Sequence, residues 1–132
     1  MSLREILAEV HARLGRPVLV AETGIEGDGR AAWLAYIGEE TRAALRAGVP
    51  VEGICLYPIV NHPGWDDDRY CENGLFHSAV NQGGRMAHEP LAREIIRQQA
   101  LFDTLFEDTA DSRKTTRRSG SRSTQDHEAS DA

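Results

Sequence analysis

The sequence predicts an α/β fold. Segments with apolar residues at helical spacing alternate with short continuous apolar runs, glycine or proline separates each from the next, and the connections between them are short. Such alternation implies parallel strands joined by right-handed crossovers. Ser2 followed three residues later by Glu5 is a capping-box pair, and Leu3, Ile6, Leu7, Val10 and Leu14 recur at helical spacing until Gly15 offers a stop. After Arg16-Pro17, the run Val18-Leu19-Val20-Ala21 reads as a strand buried on both faces, and it delivers Glu22 at its carboxyl end.

The loop 23–29 holds three glycines. Residues 31–47 read as a second helix with Leu34, Ile37, Thr41, Ala44 and Leu45 on one face, ended by Gly48-Val49-Pro50. Residues 51–57 (VEGICLY) form the second strand, closed by Pro58. A loop from about 58 to 88 follows, of a length that in compact domains is usually either functional or disordered. Pro90 stands at the start of a third helix, which Leu91, Ile95, Gln98, Phe102 and Leu105 carry to about Phe106. Two strands are too few for a parallel sheet, which needs cover on both faces and neighbours at its edges. The chain is therefore expected to associate with another or to be a piece of a larger α/β domain.

The 132 residues include 15 lysines and arginines and 21 aspartates and glutamates, for a net charge of −6. One domain is the expectation at this length. With 40% apolar and 27% charged residues and a mean hydropathy of −0.46, no run of about 18 apolar residues exists, which excludes a membrane-spanning helix. The first residues lack the apolar centre of a secretory leader, so a cytoplasmic location is expected. Cys55 and Cys71 do not make a disulfide framework or a zinc motif, and Cys55 in its apolar strand reads as core.

Five of the basic residues and three of the acidic ones lie in 112–132, leaving ten against eighteen in a body of residues 1–111. The segment 112–132 contains no Leu, Ile, Val or aromatic residue and is expected to be a disordered charged tail. A basic arm touching nucleic acid is its functional alternative, but the acidic total and the lack of interleaved aromatics make nucleic acid an unlikely partner.

Glu22 is the first candidate for chemistry, because α/β folds place catalytic groups and ligands at the carboxyl ends of parallel strands. Next comes the loop with Tyr57, His62, Trp65, the run Asp66-Asp67-Asp68, Arg69 and Tyr70, a set suited to sugar rings through aromatic stacking and carboxylate hydrogen bonds. Its bland alternative is an acidic surface loop with one buried tryptophan. Consecutive aspartates point in different directions and no calcium-loop spacing is present, so no metal and no cofactor are expected. His88-Glu89-Pro90 is not a zinc motif, and the glycines at 24, 27 and 29 match neither nucleotide-binding fingerprint.

The segment Arg16-Pro-Val-Leu-Val-Ala-Glu22-Thr-Gly24 resembles the stretch "P-hydrophobic-x-x-T-E-N-G" that carries the nucleophile of family 1 β-glycosidases, retaining enzymes of the clan built on a (β/α)8 barrel. Tyr57-Pro-Ile-Val-Asn61-His62-Pro-Gly64-Trp65 resembles their "W-S-L-L-D-N-F-E-W", and Gly74-Leu75-Phe76 their "F-G-L". The resemblance covers roughly residues 16–105. It implies a partial (β/α)8 barrel made of the last two βα units, with 90–106 as the closing helix, Glu22 as nucleophile, and Tyr57, Trp65, Asn61 and His62 as substrate-binding residues.

Departures from the pattern are Thr23 for asparagine, Tyr57 for the first tryptophan, and Gly64 for the glutamate that grips sugar hydroxyls. Family members carry the acid/base in an "N-E-P" segment, which this sequence lacks. The expectation is a β-glucosidase-like fragment, inactive alone, whose partners are a β-glycoside or a complementing barrel chain. A non-catalytic carbohydrate- or protein-binding module that self-associates is the alternative.

Overall fold

A computed structural model describes residues 1–79 and 84–120, with side chains through residue 112. The chain divides into two compact units, Met1–Gln98 and Gln99–Ala132. In the first, helix α1 spans Leu3–Leu14, strand β1 Val18–Thr23, helix α2 Arg30–Arg46 and strand β2 Val51–Leu56, followed by two short strands, β3 at His62–Pro63 and β4 at Tyr70–Cys71; helix α3, Glu89–Gly120, begins in the first unit and continues into the second.

Local chemistry accounts for the boundaries. Ser2 caps α1 through the amide of Glu5, whose carboxylate accepts from the Ser2 amide at 2.6 Å in return. Gly15 ends the helix at φ 62°, a left-handed conformation that costs glycine little. A 3-10 turn at Gly27–Gly29 leads into α2, and Gly48 at φ 87° turns the chain toward β2.

β1 and β2 pair in parallel, as the helical crossover between them requires. Their register is irregular. Val18 faces Val51 and Leu19 faces Gly53, so β2 carries an extra residue at Glu52; Val20 faces Ile54 and Thr23 faces Leu56, so β1 carries one at Ala21–Glu22.

One face of this sheet is covered. Leu7 of α1, Ala44 of α2, Val49, Val18 and Val51 form the core cluster, with Leu3, Val20 and Leu45 packed against it. Each leucine or valine side chain contributes about 1.5–3 kcal/mol when fully buried. The other face is bare: Leu19 is 56% exposed, and Ala21, Glu22, Cys55 and Tyr57 are exposed with it. Strands enclosed on both faces were expected from the continuous apolar runs, and among the described residues only one face is enclosed. The reason is arithmetic, since α1 and α2 lie on one side of a sheet only two strands wide. The stripe on α1 is likewise half used, with Leu7 buried but Ile6, Val10 and Leu14 exposed.

α2 buries the face its periodicity predicts, through Leu34, Ile37, Thr41 and Ala44. α3 runs to Gly120 rather than ending near Phe106, because no proline or glycine interrupts residues 91–119. It thus includes residues 112–120 of the segment expected to be a tail, while 121–132 lie outside the described residues. In the second unit Phe102 and Phe106 stack one turn apart, with ring centroids at 6.4 Å. No described helix is long and apolar enough to cross a membrane.

Candidate functional site

Glu22 lies one residue before the end of β1, inside the irregularity of the strand and on the exposed end of the sheet. An extra residue in a strand rotates the side chains that follow it. Val18 and Val20 point to the helices, and beyond the irregularity Thr23 does so again: its Oγ1 accepts from the indole Nε1 of Trp33 on α2 at 2.8 Å. Glu22 is thereby left on the side away from the helices, where a carboxylate keeps access to solvent.

β2 brings Tyr57 alongside. The amide of Tyr57 donates to the Thr23 carbonyl at 2.9 Å, extending the ladder by one bond, and the Tyr57–Pro58 peptide is cis. Glycine is required at position 24, since a Cβ there would run into the Tyr57 carbonyl oxygen. The ends of the two strands are thus fastened side by side, with Glu22 on one and Tyr57 on the other.

The loop beyond β2 is a small framework. β3 and β4 form an antiparallel hairpin, and Phe76 bridges Val60 on one side and Ala87 on the other. Asn61 is 3% exposed; its Oδ1 accepts from the Gly74 amide at 2.7 Å and its Nδ2 donates to His77 Nδ1 at 3.5 Å. Its side chain is committed to holding the loop. His62 Nδ1 donates to the Pro63 carbonyl at 2.6 Å, and Asn73 Nδ2 lies 3.3 Å from its Nε2. Its ring is tilted against Tyr57, with centroids 6.1 Å apart. Tyr57 and His62 together form an aromatic wall beside the strand ends.

Trp65 stands apart at the tip of the hairpin, 86% exposed. The buried tryptophan of the bland alternative is therefore absent at this position, because the two-residue strands leave the tip without a layer beneath it. Asp66, Asp67 and Asp68 are exposed beside it, and among the described residues no three His, Cys, Asp or Glu side chains gather as a metal site.

Two arginines tie the loops together, and neither is legible as such in the sequence. Arg69 makes a bidentate pair with Glu26, at 2.7 and 2.9 Å, across 43 residues. Hydrogen bonding to Arg69 holds the Glu26 carboxyl below its ordinary range and raises the Arg69 guanidinium. Burial pushes the neighbouring Cys71 thiol up, as does its proximity to Glu26. Arg30, 5% exposed, donates to the carbonyls of Gly27 at 2.7 Å and Gly74 at 2.6 Å, joining the start of α2 to the second loop. The only sequence signal was the excess of charge in both loops, which does not specify partners.

The arrangement presents a carboxylate at a parallel strand end with an aromatic wall beside it, chemically suited to a nucleophile or a hydrogen-bond acceptor for a polyhydroxylated ring. No family model matches the chain, and no curated protein does. Among solved structures it is similar to the β-glycosidase of the hyperthermophile Thermosphaera aggregans, at 22% identity and a TM-score of 0.61, over 71% of this chain and 20% of that one. The chain thus spans about one fifth of the length of that enzyme. Over the matched part, its strands and helices have a β-glycosidase-like fold.

Proposed function

We propose that this chain is a glycoside-hydrolase-like segment, corresponding to the last two βα units of a (β/α)8 barrel, in which Glu22 is the nucleophile of a retaining β-glycosidase mechanism. The observation that carries the reading is the placement of Glu22 at the exposed end of a parallel strand, one ladder step from Tyr57. In such a mechanism the carboxylate attacks the anomeric carbon, forming a glycosyl ester as the bond to the leaving oxygen breaks. A second carboxyl group, about 5–5.5 Å away, protonates that oxygen and then activates water.

Tyr57 and the ring of His62 serve as the wall against which a sugar rests, Trp65 as an outer stacking surface, and Asn61 as the residue that holds the loop in place. The sequence carries no Asn-Glu-Pro segment to supply the second carboxyl group. The chain alone is accordingly inactive. Hydrolysis of a chromogenic β-glucoside by the purified chain, abolished in Glu22→Gln, would overturn that inactivity. Turnover regained on adding a chain that carries six further strand–helix units, and lost in Glu22→Gln, would establish the role of Glu22.

A second reading is favoured by the bare sheet face: a non-catalytic module that covers Leu19 and Tyr57 by self-association. Size-exclusion chromatography separates the two, since a defined dimer or tetramer supports the module and a monomer opposes it.

A further inference from the structure

His88 occupies the N-cap of α3. The helix starts at Glu89, and the first turn exposes amide donors with no partner inside the helix. Pro90 has no amide hydrogen to satisfy. The amide of Leu91 donates instead to Nδ1 of the His88 ring at 3.3 Å, and that of Ala92 to the His88 carbonyl at 3.0 Å. The His88 amide donates in turn to the Leu75 carbonyl at 2.7 Å, tying the cap to the loop of the candidate site. Leu91, whose amide is capped, is 1% exposed.

N-caps are ordinarily Ser, Thr, Asp or Asn, whose oxygens accept at any pH near neutrality. An imidazole nitrogen accepts only while unprotonated. We propose that His88 is a pH-dependent cap: its neutral ring accepts from the Leu91 amide and so holds the first turn of α3, whose cap residue is tied to Leu75 through its own backbone amide, and protonation releases that turn.

The charged groups around the ring act in both directions. Arg30 and His77 face the ring from α2 and the loop and oppose a positive charge on it, as does the positive end of α3 itself. Asp28 and Glu72 favour the charge, and Glu89 adds an acid within the first turn. Burial is the largest influence and, with Arg30, holds His88 below its ordinary value of 6.5. A histidine depressed in this way contributes stability that is complete above its unfolded value and is lost as pH falls through the folded one.

The test compares the full chain with His88→Asn, which can cap without titrating, by thermal unfolding at pH 7.5 and 5.0. The melting midpoint of the natural chain is expected to fall by about 4 °C more than that of His88→Asn on acidification. Equal falls overturn the proposal. A second measurement uses the unsubstituted chain alone: protection of the Leu91 amide from hydrogen exchange is expected to drop along the NMR titration of the His88 ring, below pH 6.5. Protection that ignores that titration also overturns it.

Discussion

The carbonyl oxygen of Tyr57 stands where a Cβ on Gly24 would have to be. This approach holds the end of β1 against the end of β2 and therefore sets how Glu22 and Tyr57 lie side by side. Gly24→Ala must push one strand end away from the other, at a cost of about 1–3 kcal/mol. Gly84→Ala is the control, with nothing among the described residues within 4 Å of its added carbon and no positive φ. Urea unfolding of both variants measures the difference, and equal stability would mean that the strand ends separate freely.

The Glu26–Arg69 pair links the loop after β1 to the hairpin that carries Trp65. Arg69→Met leaves the hydrophobic stem and removes the bidentate contact. Faster hydrogen exchange is expected at the Gly27 amide, which donates to the Glu72 carbonyl, and at the Gly64 amide, which donates to that of Arg69. Because Arg69 holds the Glu26 carboxyl low, the contribution of the pair is present above the ordinary carboxyl value of 4.5 and disappears as pH falls through the lowered one. Acid unfolding of Glu26→Gln should lack that component.

Thr41 is 1% exposed on the inner face of α2, and its hydroxyl has no hydrogen-bond partner among the described residues. Burying an unpaired hydroxyl is costly, while valine has nearly the same shape. Thr41→Val is expected to stabilise the chain by about 1 kcal/mol, read as a higher urea midpoint at unchanged slope. A loss of stability would reveal a partner for the hydroxyl.

Val18 and Leu19 are neighbours on β1 with opposite surroundings, 8% and 56% exposed. Val18→Ala removes core volume and should cost about 2 kcal/mol. Leu19→Lys lies on the bare face and should change the stability of the monomer by less than about 0.5 kcal/mol. If the chain self-associates through that face, Leu19→Lys converts the oligomer to monomer in size-exclusion chromatography, whereas an unchanged elution volume excludes this face as the interface.

Much of the framework was readable along the chain because its signals are local. The Ser2–Glu5 box, the left-handed Gly15, the apolar period of α2 and the short runs at 18–21 and 51–57 each act within a turn or a strand. The approach of Glu22 to a strand end followed from the same punctuation, although β1 extends two residues beyond the apolar run. The apolar stripe does not mark the end of α3, because helix propensity continues after that stripe stops.

What the sequence by itself determined is the order of the three α-helices and the two parallel strands, though not the short hairpin β3–β4 inside the long loop, and the choice of an acid at the close of the first strand, since these depend on residues a few positions apart. Tertiary structure alone decided which way that acid faces, through an irregular strand register, and decided that Arg69 meets Glu26, that Asn61 is buried in the loop while Trp65 stands clear, and that His88 caps a helix. Those outcomes depend on contacts between residues distant in sequence or on exact backbone geometry, and pattern and composition constrain neither.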